Sequence, residues 1–195
     1  MPSLREPAHR RGVVRRQALL DAAIRLLARD GARAVTHRSV ALEAGTTHGA
    51  ARYYFGTSEV LLDQALCHVA ARQVAEVERV LHEPPETDPR CCAARLARHV
   101  AGPLAEDRDA SIARYELFLE AARRPSLRPA LEAWGDAYRR LLCVELTAAG
   151  SADPAIDAEL LLNLINGILL RQLASPHADF EQAIVRPAIE RFLRA

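Results

Sequence analysis

The stretch that most constrains this chain is residues 36–55, THRSVALEAGTTHGAARYYF. Two short helical segments flank Gly45. Thr36 is placed to cap the first, which runs to about Ala44 with Val40 and Ala41 inward; Thr47 is placed to cap the second, which runs to about Tyr54. Gly45 can take a positive φ where the chain reverses, and Gly56 breaks the second helix. Ala41, Ala44 and Ala51 are small enough for close helix contact, with Val40 and Phe55 filling the core beneath. Two short helices set across one tight turn predict a helix-turn-helix. Thr46, Thr47, His48 and Gly49 open the second helix with short side chains and backbone amides that can approach phosphates and base edges. Arg52, Tyr53 and Tyr54 follow and can bond to either, although a packing role stays open for the tyrosines. This is the pattern of a recognition helix lying in the major groove of double-stranded DNA.

Charge is distributed to match. Residues 1–58 hold ten arginines against four acids, whereas the remainder holds sixteen against twenty-one. A basic head on a mildly acidic body suits a polyanion. Arg10, Arg11 and Arg15 stand before or at the start of the first helix, and Arg38 lies near the start of the next; all four are expected at DNA. Arg25, Arg29 and Arg33 read as a solvated face, and His37 as a capping residue rather than a contact. Thr57 caps a fourth, long helix in which Leu61, Leu62, Ala65, Leu66, Val69 and Val77 recur at helical spacing.

The rest is helical too. Segments are predicted near 90–106, 109–123, 126–149, 154–174 and 178–194, with breaks at Gly102-Pro103, Arg124-Pro125, 150–154 and Ser175-Pro176. No run of alternating β-branched residues appears. The fold class is therefore all-α, with about nine helices: an N-terminal three-helix helix-turn-helix domain followed by a larger helical domain. Residues 1–12 read as a flexible basic arm, 13–58 as the DNA-binding domain and 59–195 as the helical body. Within the body, Tyr115, Phe118, Trp134 and Tyr138, with the polar His68, His99 and Asn163 on otherwise apolar stretches, could enclose a small-molecule effector or simply form core. Leu161, Leu164, Ile165, Gly167 and Ile168 belong to an apolar surface wider than one core-facing stripe needs, and Ile184, Ile189 and Phe192 add a second. These either complete the core or pair two copies of the chain.

The head resembles the TetR family of bacterial transcriptional regulators. The features that carry the resemblance are Ala22-Ala23 and Leu26-Leu27, then Gly31, Thr36, Val40-Ala41, Ala44-Gly45, Gly49, Tyr53, Phe55 and Leu61-Leu62, over about residues 15–66. The resemblance implies that the body is a ligand-binding and dimerisation domain, and that the chain is a homodimeric repressor released from a palindromic operator by a small molecule. It also exposes a departure. The family commonly carries a lysine at the start of the fourth helix, where this chain has Ser58; Thr57, Ser58 and the helix amides are then left to hold a phosphate. The rival reading is a helical interaction protein without sequence-specific DNA binding.

Other classes find little support. No nucleophile elbow, phosphate loop or metal-ligand helix appears, so no enzyme, metal or cofactor is expected. Cys67, Cys91, Cys92 and Cys143 match no zinc spacing. No apolar run is long enough for a membrane span and no secretory signal is legible, so the cytoplasm is the expected compartment.

Overall fold

The computed structural model describes residues 6–193. Among these it holds nine α-helices and no strand: α1 Glu6–Asp30, α2 His37–Glu43, α3 His48–Phe55, α4 Ser58–Leu81, α5 Pro89–Glu106, α6 Arg108–Arg123, α7 Arg128–Ala148, α8 Pro154–Ala174 and α9 Arg186–Phe192. Short 3₁₀ turns lie at Ala32–Ala34 and Pro125–Leu127, and a π-helical turn at Glu181–Val185 leads into α9.

Three elements depart from the sequence expectation; the helix expected near 178–194 is a π-helical turn over Glu181–Val185 followed by α9 from Arg186. Helix α1 begins at Glu6 rather than near Val13, so Arg10 and Arg11 stand on a helix. Val13 and Val14 are exposed, and the buried apolar face starts at Leu19. Periodicity has no inward residue to register there. Another departure lies within α5: its bounds match the expected segment near 90–106, but the break expected at Gly102-Pro103 is absent and the helix runs through Pro103 to a cap at Asp107. Pro103 removes one backbone donor near the helix end, and the Asp107 amide closes the last turn on the Pro103 carbonyl at 2.9 Å. Residues 1–5 of the predicted arm lie outside the described residues.

The chain divides into two compact units. One comprises the residues up to Ala70 together with Ile112–Arg128; the other comprises Ala71–Ser111 and the residues from Pro129 onward. In the first, α1 packs on α2 and α3. Its buried set includes Leu19, Leu20, Ala23 and Leu27 of α1, Val40 and Ala41 of α2, Ala51 and Phe55 of α3, and Leu61 and Leu66 of α4. Ala113, Leu117, Ala121 and Leu127, far away in sequence, are buried in this unit as well. Arg124 binds Asp63 of α4 at 2.7 Å and the buried Glu120 at 2.9 Å.

In the second unit, α5 packs on α8, α9 and the π-helical turn. Val77, Val80, Ala137 and Leu141 form one apolar cluster, with Tyr138 against it. A buried ion pair joins Arg95 of α5 to Glu145 of α7. Arg95 also donates to the Pro84 carbonyl at 2.8 Å, which ties down the loop before α5. Such a pair is strongly unfavourable to break from one side.

Candidate nucleic-acid interface

The corner between α2 and α3 is built from local hydrogen bonds. The Ser39 amide donates to Thr36 Oγ1 at 3.2 Å and the Thr36 amide donates back to Ser39 Oγ at 3.0 Å, a reciprocal cap that starts α2. At the turn, Gly45 has φ 61°, a left-handed backbone that a side chain resists. The Thr46 amide then reaches the Ala41 carbonyl at 2.8 Å, and Thr47 Oγ1 accepts from the Ala50 amide at 3.2 Å to start α3. Each orphan backbone group satisfied this way fixes the angle between the two helices.

Helix α3 is sharply two-sided. Ala51 and Phe55 are buried beneath it, with the Arg16 guanidinium over the Phe55 ring at 5.5 Å. His48, Gly49, Arg52 and Tyr53 all face outward, Tyr53 at 83% exposure. Tyr54 is half-buried and meets Tyr53 edge-on at 5.2 Å. The structure thus separates the two tyrosines: one stands free on the outer face and its neighbour sits against the head. Thr36, Arg38 and Thr47 are exposed, and Thr46 is half-buried. Beside the turn lies an open groove of about 520 Å³ with Arg10, Arg11 and Arg15 on one wall and Ala44, Gly45 and Thr46 on the other. Among the described residues no acid lines it and three arginines do, which makes its potential positive.

His37 is no cap. Its ring is buried, edge-on to His48 at 5.9 Å, and its Nε2 has no hydrogen-bond partner. Burial, then the neighbouring His48, holds its pKa below the ordinary 6.5, with Arg52 adding to this and a hydrogen bond to the Thr57 backbone opposing it. Ser58 Oγ accepts from the His37 amide at 3.4 Å, and Thr57 Oγ1 from the Val60 amide at 3.2 Å. Ser58 therefore joins the starts of α2 and α4, a tie that lysine could not make.

Several supporting residues are absent from the sequence reading. Ser39 completes the cap of α2. Glu43 receives Arg25 at 3.0 Å and Arg29 at 3.4 Å, clamping α1 to α2. Arg25 and Arg29 do lie on an exposed face, but that face is tied. The signal was a lone acid in a basic segment. Arg16 also donates to Gln64 of α4 at 2.6 Å.

The residues singled out for an effector fall in both units. In the first, His68 lies 2.7 Å from Gln17 and 4.0 Å from Asp21, both of α1, and Tyr115 stacks with Phe118 at 6.1 Å. In the second, Tyr138 sits between His99 and Trp134 at 5.9 and 5.0 Å, and Trp134 Nε1 donates to Gln73 at 2.7 Å. His99 Nε2 is buried without a hydrogen-bond partner, and burial pushes that pKa down. Asn163 is exposed and donates to the Glu159 carbonyl of its own helix at 2.9 Å. Of the residues singled out for pairing, Leu161, Ile165 and Ile189 are buried in their own unit. They belong to the core of that unit. Leu164 and Gly167 face outward, and Ile168, Ile184 and Phe192 are half-buried. Ile156, Leu160 and Leu170 extend the exposed apolar side of α8.

Burial, with Glu145 alongside, pushes Cys92 up to about 12, and the Asp88 carboxylate raises Cys91. Among the described residues no group of three or more His, Cys, Asp or Glu could hold a metal ion, and no helix is long and apolar enough to cross a membrane.

A capped helix-turn-helix with an outward recognition face and a basic groove, joined to a separate helical unit, defines a DNA-binding transcriptional regulator. Comparison narrows the class. Residues 19–65 match the family model of bacterial regulatory proteins of the tetR family, and residues 87–195 match that of the tetracyclin repressor-like C-terminal domain. The chain belongs to the TetR family of transcriptional regulators, whose members are not enzymes. It is 30% identical over 82% of its length to the HTH-type transcriptional regulator BetI of Rhizobium meliloti (strain 1021), covering 78% of that protein. It is 26% identical to the HTH-type nicotine-responsive transcriptional repressor HdnoR of Paenarthrobacter nicotinovorans, over 92% of this chain and 96% of that one. Among solved structures, the multidrug binding protein EbrR complexed with proflavin is 34% identical with a TM-score of 0.62, over 91% of this chain and 99% of that one.

Proposed function

We propose that this protein is a homodimeric repressor that holds a palindromic operator through two copies of α3 and lets go when a small molecule binds the helical body. The observation that carries the reading is the outward face of α3, with His48, Gly49, Arg52 and Tyr53 beside a groove walled by three arginines. Base edges meet the first; phosphates meet the second, and Thr36, Arg38, Thr47, Thr57 and Ser58 take further phosphate contacts elsewhere on the head. A two-fold pair of such heads reads half-sites about 34 Å apart.

The exposed apolar side of α8 supports pairing. Ile156, Leu160, Leu164 and Leu170 are each at least 40% exposed, and a side chain at Gly167 would meet nothing within 4 Å, which permits close helix approach. Repression and release are supported by HdnoR, a nicotine-responsive repressor, and by EbrR, solved with proflavin. The aromatic sets Tyr115–Phe118 and His99–Tyr138–Trp134 favour an aromatic effector. Such a compound acts by binding the DNA-competent and DNA-incompetent states unequally. The protein acts in the cytoplasm, where its operator is.

The test uses the full chain on an operator fragment selected by the protein itself. Titration with proflavin as a probe aromatic should release the DNA and quench Trp134 fluorescence over the same concentration range. Quenching without release would sever effector binding from DNA binding and contradict the release step.

A further inference from the structure

On the inner face of α8, Ile165 and Leu169 are buried in the core of the second unit. At the next positions of that face, one helical turn on, the core stops. Gln172 and Leu173 line a cleft of about 370 Å³ instead, in the lower range of small-molecule sites. Irregular backbone surrounds it. Gly102 of α5, Pro176 after the end of α8, and Phe180 and Glu181 at the π-helical turn all line the cleft. A π-helical turn is uncommon and is found frequently at functional sites. Gly102 has no positive φ, and a Cβ there would meet nothing within 4 Å. Alanine would favour the helix, so neither conformation nor packing accounts for this glycine. What its missing side chain preserves is open space in the cleft.

The walls are held in place. Gln172 Nε2 donates to the His177 carbonyl at 3.1 Å, and the His177 amide donates back to Gln172 Oε1 at 2.8 Å. Arg108 donates to the Leu173 carbonyl at 3.1 Å. Leu104, Leu173 and the buried Phe180 supply an apolar wall, and Arg108 and Glu181 supply one charge of each sign. Among the described residues neither charge belongs to an ion pair: the carbonyl that Arg108 meets is neutral, and Glu181 accepts from the neutral amide of Gln182 at 3.1 Å. Opposite charges left unneutralised on one cleft, beside an apolar wall, complement a ligand that carries both charges on an apolar body. We propose that this cleft is a binding site for a small apolar zwitterion of the α-amino acid type. Its carboxylate meets Arg108, its ammonium meets Glu181, and its hydrocarbon lies against Phe180. Tyr115, Phe118, Trp134 and Tyr138 do not line the cleft, so it is a second site, separate from the aromatic sets and independent of the DNA-binding reading.

The experiment is calorimetric titration of the full-length protein, without DNA, with three probes of one shape: L-phenylalanine, phenylpropanoate, which lacks the ammonium, and phenethylamine, which lacks the carboxylate. L-phenylalanine should bind, and each single-charge probe should bind roughly tenfold or more weakly, the loss expected for one charged hydrogen-bonded contact. Arg108→Gln should weaken L-phenylalanine and phenylpropanoate and leave phenethylamine unchanged. Glu181→Gln should weaken L-phenylalanine and phenethylamine and leave phenylpropanoate unchanged. Arg108 is exposed and Glu181 half-buried, so both variants should melt as the wild type does. Gly102→Leu, which fills the open space, should remove binding of all three. No binding of L-phenylalanine at millimolar concentration would overturn the proposal, as would equal binding of the three probes or the same affinities in both glutamine variants as in wild type. Each of these outcomes leaves the DNA-binding reading intact.

Discussion

Arg52 and His48 share one row on the exposed side of α3, and neither takes part in the core of the head. That division of labour makes Arg52→Ala a clean change. A side chain that reads a base is worth about 1–3 kcal/mol of discrimination, roughly tenfold to a hundredfold in affinity. The variant should lose that much binding on gel-shift titration and keep the wild-type melting temperature. Unaltered affinity would remove Arg52 from the interface. Ser58 shows the opposite case. Resemblance to the family singled it out for the missing lysine, and its hydroxyl oxygen accepts from the His37 amide while its O–H is left to donate to a phosphate. The cations available to replace that lysine are then Arg10, Arg11 and Arg15 of the groove.

At the scale of elements, the α2–turn–α3 corner is where sequence and structure agree most closely. Thr36, Gly45, Thr47 and Gly56 act through local backbone chemistry, which a sequence displays directly. The early start of α1 and the absence of a break at Gly102-Pro103 were not legible, because Val13 and Val14 face outward and keep no inward period, and one absent donor is tolerated inside α5. Buried histidines are a further case. The sequence suggests a cap for His37 and leaves His99 open between core and effector contact; in the structure each has an Nε2 buried without a hydrogen-bond partner. Both pKa values lie below the ordinary 6.5, chiefly from burial. For His37, His48 and Arg52 add to the shift; for His99, Arg79 and Arg95 add to it while Glu76 and Glu145 oppose it. The unfolded chain then binds more protons as the pH falls below about 6.5, so acid favours unfolding. Stability held above that pH should decline on acidification toward the folded-state values. The measurement is urea unfolding at steps from about pH 7.5 to about pH 5.5, a window above the ordinary carboxylate range. Wild type should weaken across it and the His37→Gln, His99→Gln variant should weaken less. Equal slopes would mean that these two imidazoles are not responsible.

At the scale of the whole molecule, the division into units was the least legible feature. The sequence suggests a cut near residue 58, whereas Ile112–Arg128 belongs to the compact unit that holds the head. Ala113, Leu117 and Leu127 carry no mark saying which helices they will meet; only the long-range packing decides it. The apolar breadth of α8 was legible, but not which side is which: Leu161 and Ile165 are core, and Leu160 and Leu164 lie outside. That sorting makes a test of pairing possible. Leu164→Asp should give a folded, helical monomer by light scattering and circular dichroism, because the side chain is 40% exposed within its own protomer. A dimer that survives the change would place the interface elsewhere. Leu161→Asp, at a site with no exposure, should instead unfold the chain.

The central claim is that α3 reads a two-fold operator, and a footprint tests it most directly. The full-length protein, on a fragment selected from its own genome, should protect two inverted half-sites whose centres lie one helical turn or a whole multiple of turns apart. Protection of both should fade together when Arg52 and His48 are changed to alanine. A footprint without two-fold symmetry, or one that persists unchanged in that variant, would contradict the account.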